Sequence, residues 1–423
     1  MSVELRPLGV QCNIQCQYCY QNPQRDAGNL PRAYDMEKMK AAIQAEGGPF
    51  SLFGGEPLLL PLADLEDLWS WGFEKFGHNA VQTNATLIGD EHIRLFRKYK
   101  VQVGVSLDGP GELNDARWHG SLEKTRETTA RAEAAIERLC REGIPPSLIV
   151  TLHRGNATAD KLPVLYDWLR HLHSAGVRWL RLHLLESEIA AVREKYALST
   201  TENIAALKGF LALEKELPRM NFDMFSDMRK MLIANDQRTT CVWSACDPYT
   251  TRAVRGVEGY GQRSNCGRTN KDGIDFVKAS MPGFERYLAL YLTPQSAGGC
   301  HGCRFFLMCK GQCPGTAIDG DWRNRTEHCE VWKALYAMLE HELAAKGQAP
   351  LSLGSRREEI EKRALEAWSR GQNPSIAQLM GKPSLPRRGK TPAPPAKSGR
   401  RVSARGLQKQ LQALTAHEFS FHF

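Results

Sequence analysis

The stretch that decides the fold is Val10-Gln-Cys-Asn-Ile-Gln-Cys-Gln-Tyr-Cys-Tyr20. It places Cys12, Cys16 and Cys19 at C-x3-C-x2-C spacing, and no further cysteine or histidine is close by in the sequence. Four thiolates complete an iron–sulfur cubane, so a local set of three predicts a [4Fe–4S] cluster with one iron open to a non-protein ligand. The alternatives are buried apolar cysteines or zinc ligands, because C-x2-C pairs also bind zinc.

Around this stretch, strand-like and helix-like segments alternate along the chain. The alternation predicts an α/β fold in which six β/α units form a partial (β/α)6 TIM-like barrel, with the chemistry in the loops after the strands. The predicted strands are Val3–Val10, Phe50–Phe53, Ala80–Thr83, Val101–Leu107, Ser147–Leu152 and Val177–Leu184. The predicted helices are Asp35–Ala45, Leu62–Phe76, Asp90–Lys100, Ser121–Gly143 and Lys161–Ala175.

Polar segments follow three of these strands. They are Phe53-Gly54-Gly55-Glu56-Pro57, Gln82-Thr83-Asn84 and Val105-Ser106-Leu107-Asp108-Gly109-Pro110. Glycines let a backbone approach a ligand closely, and a carboxylate can pair with an ammonium group. Taken singly, each segment is also consistent with a tight turn or a helix cap.

The cysteine stretch and these segments, in this order, resemble the radical S-adenosylmethionine (SAM) family. The resemblance implies that the amino and carboxylate groups of SAM chelate the open iron and that Gly-Gly-Glu binds the SAM amino group. The SAM contacts it implies are Tyr18, Gly54, Gly55, Glu56, Thr83, Asn84, Ser106 and Asp108. Arg126, on the following helix, is a weaker candidate partner for the SAM carboxylate; a solvated helix arginine is the alternative.

Eight further cysteines lie between residues 241 and 329. Their pattern, Gly-x4-Cys, then Cys-x2-Cys-x5-Cys-x3-Cys and a last Cys, resembles the SPASM domain. By that resemblance, a first auxiliary [4Fe–4S] cluster takes Cys241, Cys246, Cys266 and Cys313, and a second takes Cys300, Cys303, Cys309 and Cys329. Two structural zinc sites are the alternative. Cys140, the twelfth cysteine, is expected in the core.

The predicted organisation has four parts. They are a barrel over 1–199, a helical bridge over 200–240 with two helices in Thr200–Asn235, a SPASM domain over 241–346, and a tail over 347–423. The SPASM domain ends in a helix at Glu330–Lys346, and the tail begins with a helix at Arg356–Arg370. Lys382–Arg405 is rich in Pro, Gly, Ser and basic residues, which predicts disorder. The aromatic alternation of His417–Phe423 is typical of a strand-adding peptide.

Charge and composition exclude several classes of protein. Lys382–Lys409 holds nine Lys or Arg and no Asp or Glu, which equals the whole net charge of +9. The neutral body gives no sign of a nucleic-acid partner, whereas the tail could contact an acidic leader peptide or nucleic acid, or solubilise the chain. No stretch approaches 18 apolar residues and no signal peptide is visible, so we expect a cytoplasmic protein. Twelve cysteines then indicate metal binding or catalysis rather than disulfides.

The resemblance also implies the chemistry. A reduced cluster cleaves SAM to a 5′-deoxyadenosyl radical, which abstracts hydrogen from a substrate C–H bond, and a low-potential donor such as flavodoxin or ferredoxin supplies the electron. Relatives with a full SPASM set act on ribosomally made peptides or proteins. The leading hypothesis is therefore a peptide maturase that forms carbon–carbon or thioether crosslinks.

The alternative function is an anaerobic sulfatase maturase, which makes formylglycine. Those enzymes place Asp directly after the Gly-x4-Cys cysteine, where this chain has Gly267 and then Arg268. Tyr249, Arg252, Tyr260 and Arg268 are candidates for a substrate channel, with loop packing as the alternative. A zinc-binding interaction protein is the third hypothesis.

Overall fold

The structure, a computed structural model, describes residues 3–28, 33–187, 189–247, 254–269 and 283–382. Within these ranges nine strands form one sheet, in the order β7-β6-β5-β4-β3-β2-β1-β8-β9. The strands are β1 Val3–Arg6, β2 Phe50–Leu52, β3 Asn79–Thr83, β4 Val101–Ser106, β5 Ser147–Leu152, β6 Trp179–Leu184, β7 Asn221–Phe222, β8 Arg255–Glu258 and β9 Arg263–Ser264.

Helices connect the strands and cover the sheet. They are α1 Asn22–Asp26, α2 Met36–Glu46, α3 Leu62–Phe76, α4 Asp90–Lys98, α5 Leu122–Arg141, α6 Leu162–Ala175, α7 Ala190–Tyr196, α8 Thr200–Glu216, α9 Asp223–Leu232, α10 Glu285–Leu292, α11 Phe306–Cys309, α12 Cys329–Ala345, α13 Arg357–Ser369 and α14 Ile376–Leu379. None of those in the described ranges has the length and apolar character needed to cross a membrane.

The predicted parallel α/β barrel sheet is confirmed. The first six strands lie side by side in chain order and every pair is parallel, as at Val81↔Val103 and Thr151↔His183. Because parallel strands share a direction, the loops after β1 to β6 meet at one edge of the sheet, which we call the carboxyl edge.

Local capping explains where the helices begin and end. Asp35 and Ser121 accept hydrogen bonds from backbone N–H groups in the first turns of α2 and α5. Gly77 ends α3 in the left-handed conformation at φ 77°. These residues could be read from the sequence, and the predicted span of α3 is confirmed.

Four predicted strands are too long, two of them by a single residue and two by more. The first ends at Arg6 instead of Val10, because the chain turns at Gly9 (φ 52°) and Gly9 N–H donates to the Arg6 carbonyl at 3.2 Å. The sixth begins at Trp179 instead of Val177, because Val177 N–H still donates to Leu172 in the last turn of α6, at 3.0 Å. Both strands keep their predicted place in the sheet.

The cysteine-rich region extends the barrel sheet. β8 pairs in parallel with β1, and β9 folds back antiparallel on β8. Arg6 reinforces the contact, because its guanidinium lies 2.6 Å from both the Asn265 carbonyl and the Glu258 carboxylate. The sequence did not predict this pairing.

The predicted helices after the barrel are also present. α8 and α9 occupy the bridge, with the short strand β7 between them, and α12 and α13 match the two later predictions within one residue. Residues Met1–Pro383 form one compact unit. The predictions of a disordered basic segment after Lys382 and of a strand-adding peptide at His417–Phe423 lie outside the described residues.

Candidate active site at the carboxyl edge of the sheet

The three N-terminal thiols lie in the loop that leaves β1 at the carboxyl edge. The pKa of the Cys16 thiol is raised to about 12. Burial is the main cause, the neighbouring Cys19 and Cys12 add to it, and Arg117 opposes it. The mutual effect shows that the three thiols are close together. Within the described ranges, no three His, Cys, Asp or Glu side chains are spaced to hold a single metal ion.

Gly54 and Gly55 hold the backbone of this cysteine loop. Gly55 N–H donates to the Gly9 carbonyl at 2.8 Å, and a Cβ on Gly55 would lie 1.8 Å from the Gln11 carbonyl oxygen. Gly54 has φ 118° and its Cβ would lie 2.3 Å from the Gly9 oxygen. The close approach that these glycines permit is therefore to the protein's own loop, and contact with SAM stays a prediction.

Glu56 is a buried carboxylate, only 1 % exposed. Its oxygens accept from Thr83 Oγ1 and Asn84 N–H, both at 2.8 Å, and from Leu58 N–H at 3.0 Å. Burial raises the pKa of Glu56 to about 7, against the lowering effect of these hydrogen bonds. No Lys, Arg or His in the described part of the chain pairs with it, so the site fits an ammonium group supplied by a ligand.

Asn84 and Ser106 complete the predicted strand-end positions. Asn84 Nδ2 donates to Asn13 Oδ1 at 2.8 Å and lies 3.9 Å from Cys12 Sγ, which ties the end of β3 to the cysteine loop. The Ser106 hydroxyl accepts from Gln82 Nε2 at 2.8 Å.

Asp108 is engaged by the protein itself. It pairs with Arg117 at 3.1 Å, accepts from Thr151 N–H at 2.9 Å and from the Tyr18 hydroxyl, and lies 3.4 Å from His153 Nε2. Burial alone would raise the pKa of Asp108, but Arg117, His153 and Tyr18 together lower it well below its usual range. The carboxylate thus anchors Tyr18 between Cys16 and Cys19, and a direct SAM contact stays a prediction.

The sequence analysis missed Arg117 and His153. His153 directly follows β5, and its Nδ1 accepts from Gly155 N–H at 2.9 Å, which leaves the Nε2 proton for Asp108. The rule that functional residues follow strands could have found His153, whereas Arg117 lies in no motif. Arg126 is solvent-exposed and pairs with Asp115 at 2.8 Å, so the solvated interpretation of this residue fits the structure.

The later cysteines fall into two groups. Cys241, Cys266 and Cys313 lie near one another, since Cys313 raises the pKa of both other thiols and Cys241 raises that of Cys266. Cys300, Cys303, Cys309 and Cys329 together line a pocket of ≈ 320 Å³ walled by Phe305, Phe306 and Tyr336. The two groups contain seven of the eight predicted ligands, and their role as cluster ligands stays a prediction. Cys246 is buried and lies near the Tyr287 phenol, so its place in the first set stays a prediction.

Tyr20 joins the N-terminal loop to the first of these groups. Burial raises the pKa of the Tyr20 phenol, and nearby Cys266 and Cys19 raise it further. A Cβ on Gly267 would lie 3.1 Å from the Arg6 guanidinium and 3.3 Å from the Tyr20 ring. The cysteine loop and the Cys266 loop are therefore in contact.

A larger cavity of ≈ 630 Å³ opens beside the end of β6, against the loops of Cys241 and Cys313. The candidate channel residue Arg268 lines it and pairs with Glu186. Tyr260 is exposed in the β8–β9 hairpin, where Lys38 lies 5.7 Å from its ring. Tyr249 and Arg252 lie outside the described residues. Cys140 is partly buried and packs against the core, in agreement with its prediction.

Comparison with known proteins identifies relatives of this chain. The family model described as the radical SAM superfamily matches residues 7–184, which include the cysteine loop and the barrel strands β2 to β6. An uncharacterised protein of Archaeoglobus fulgidus is 34% identical over 350 residues, 79% of this chain and 80% of that protein. The chain belongs to the radical SAM superfamily.

Other relatives of this radical SAM enzyme carry functional names. The serine-type anaerobic sulfatase-maturating enzyme of Klebsiella aerogenes is 33% identical over 206 residues, 46% of this chain and 49% of the relative. The chain thus matches about half the length of this curated relative. The cysteine-type enzyme of Clostridium perfringens is 30% identical over 128 residues, 27% of this chain and 35% of the relative.

Solved structures share the fold. Native anSMEcpe with bound AdoMet and the Cp18Cys peptide has a TM-score of 0.61 at 18% identity, covering 81% of this chain and 98% of that one. SuiB of Streptococcus suis has a TM-score of 0.52 at 15% identity, covering 77% of this chain and 76% of that one. At these identities the likeness concerns the fold alone.

Proposed function

We propose that this radical SAM enzyme is a maturase that crosslinks side chains of a ribosomally made peptide through carbon–carbon or thioether bonds. The observation that carries the proposal is the position of the ≈ 630 Å³ cavity, which lies beside a barrel strand end and is lined by two predicted auxiliary-cluster ligands. Structures of similar fold support a peptide substrate, since anSMEcpe was solved with the Cp18Cys peptide and SuiB with its precursor peptide SuiA.

The thiol sets fit iron–sulfur clusters. Each set brings together neighbouring, largely desolvated thiols, some of which raise the pKa of others in the set, and a cluster stabilises the thiolate forms that desolvation disfavours. Cys12, Cys16 and Cys19 would hold the SAM-binding cluster, and the eight later cysteines would hold two auxiliary ones. A cluster with bound SAM supplies a 5′-deoxyadenosyl radical able to take hydrogen from an unactivated C–H bond.

The protein's own residues have defined parts in this proposal. Glu56 accepts a hydrogen bond from the SAM amino group, because it is the buried carboxylate at this edge without a cation in the described chain. Asp108, Arg117 and His153 hold Tyr18 and thereby fix the loop between Cys16 and Cys19. The barrel strands and the cysteine-rich region enclose the site and exclude water from the radical.

Formylglycine formation is the second candidate function, and the named sulfatase-maturating relatives favour it. Against it, Gly267 stands where those enzymes place Asp. A Cβ there would lie 3.1 Å from the Arg6 guanidinium and 3.3 Å from the Tyr20 ring, so an Asp would require both side chains to shift slightly.

The proposal can be tested with anaerobically prepared protein reduced by dithionite. We expect release of 5′-deoxyadenosine from SAM, and loss of that release in Cys16→Ala with Cys140→Ala as the control. A peptide encoded beside the gene should lose hydrogen and resist fragmentation between two joined residues. An aldehyde in a Cys/Ser-x-Pro/Ala-x-Arg peptide, trapped by a hydrazide, would instead establish the sulfatase alternative.

A further inference from the structure

The cavity beside β6 offers a ligand no net charge from its charged side chains. Arg181 Nε donates to Asp223 Oδ2 at 2.6 Å, and Arg268 pairs with Glu186. Each guanidinium is therefore neutralised by a carboxylate of the same cavity. A charge brought in by a ligand would therefore meet no unpaired charged side chain of this cavity, which is unfavourable.

Aromatic and apolar side chains form much of the remaining wall. Met224, Trp243 and Trp332 line the cavity, together with Leu182 and Leu184 of β6. Trp243 and Trp332 pack edge to face, with ring centroids 6.3 Å apart. Such walls favour a ligand with an apolar or aromatic body.

Gln312 brings an unsatisfied amide to this cavity. Its side chain is only 4 % exposed, and Nε2 has no hydrogen-bond partner in the described part of the chain. Lys310, Gly311 and Gln312 have φ of 52°, 68° and 60°, so three successive residues are left-handed. Residues with a Cβ adopt this conformation rarely, and it recurs at ligand clamps. A buried amide without a partner is likewise unfavourable unless a ligand satisfies it.

His183 is the second polar group without a partner. It lies on β6 and lines the same cavity, and no described side chain or carbonyl is hydrogen-bonded to its ring. Burial lowers the pKa of His183 well below its usual value, and Arg268 and Arg181 lower it further. The ring is therefore a neutral imidazole, which offers one donor and one acceptor nitrogen.

We propose that Gln312 and His183 form the polar end of a subsite for an uncharged, hydroxyl-bearing side chain of the peptide substrate, with tyrosine as the preferred residue. A hydroxyl both donates and accepts, so it can satisfy the imidazole and the amide, while the phenol ring fills the aromatic wall. The inference rests on the proposed peptide substrate and names the class of residue presented to the site.

The test measures binding of small probes to the anaerobically prepared full chain. Tryptophan fluorescence reports the binding, since Trp243 and Trp332 line the cavity. The probes are N-acetyl-L-tyrosinamide, its phenylalanine analogue without the hydroxyl, and the serine, lysine and glutamate analogues. We expect tyrosinamide to bind about fivefold or more tightly than phenylalaninamide. The serine analogue should bind more weakly than tyrosinamide, and the two charged probes weakest of all.

Two variants locate the subsite. In Gln312→Met and His183→Phe the preference for tyrosine over phenylalanine should fall to about twofold or less. The exposed Gln348→Met and His341→Phe are matched controls and should keep it. Unchanged iron and sulfide content would show that Gln312→Met has not disturbed Cys313.

Equal binding of the tyrosine and phenylalanine probes, equal binding of the lysine probe, or an unchanged preference in both variants would overturn the inference. These measurements need no turnover. Protein that cleaves SAM but lacks the preference would refute the subsite alone, whereas protein that binds tyrosinamide selectively but never cleaves SAM would refute the proposed function alone.

Discussion

At the scale of single residues, Glu56 decides how pH acts on SAM binding. Its pKa is raised to about 7 by burial, so the carboxyl is mostly protonated below pH 7 and cannot then accept a hydrogen bond from the SAM amino group as a carboxylate. We expect the affinity for SAM to rise as the pH rises through about 7, changing roughly tenfold per pH unit below that value.

Substitution of the same residue gives the matching prediction. Glu56→Gln should weaken SAM binding at pH 8 by about tenfold or more and remove most of the pH dependence. Equilibrium binding of SAM to anaerobic protein measures both, with the exposed Glu74→Gln as the control. An unchanged affinity in Glu56→Gln would show that the SAM amino group lies elsewhere.

Asp108 is the second residue with a specific consequence. Its side chain is fully buried and its partner Arg117 is largely so, so Asp108→Asn leaves a buried guanidinium without its counter-charge. We expect the free energy of unfolding to fall by about 3–5 kcal/mol. The exposed Asp167→Asn, which breaks the surface pair with Arg170, should cost about 1 kcal/mol or less. Similar losses in denaturant unfolding of the two variants would contradict the network.

At the scale of elements, helix α13, which follows the cysteine-rich region, packs into the hydrophobic core. Trp368 of α13 is 3 % exposed, and its ring lies 5.2 Å from Tyr287 and 6.1 Å from Phe306, measured between centroids. Phe306 in turn lines the pocket of the last four cysteines. Trp368→Ala should lower the free energy of unfolding by about 3–5 kcal/mol. The exposed Trp179→Ala is the control, and equal effects would mean that α13 adds little to the fold.

Elements that depend on local signals could be predicted from the sequence. α3 could be located because Gly77 ends an apolar helical pattern, and β5 because its buried residues alternate. β8 could not, because Arg-Gly-Val-Glu carries little strand propensity and its partner β1 is some 250 residues away. The same limit applies to the site. Strand-end motifs indicated Glu56 and Asp108, whereas Arg117 and Gln312 reach their places only through tertiary contacts.

At the scale of the whole molecule, the proposed function requires three sets of cysteine thiols, which lie within one compact unit. The N-terminal loop and the Cys266 loop are in contact at Tyr20 and Gly267. The second auxiliary set includes Cys329, the first residue of α12, and Phe306 beside this set contacts Trp368 of α13. Two zinc sites in an interaction protein remain the contrasting hypothesis. Metal analysis separates them, because three cubanes require about twelve iron and twelve sulfide per chain, whereas zinc sites contain no sulfide.

The most direct measurement is electron paramagnetic resonance of the anaerobic, dithionite-reduced protein before and after addition of SAM. A cluster held by Cys12, Cys16 and Cys19 has one iron open, so SAM should change its spectrum in the wild type. The change should be absent in Cys16→Ala and retained in Cys140→Ala. A reduced-cluster spectrum that SAM leaves unaltered in the wild-type protein would contradict the central claim.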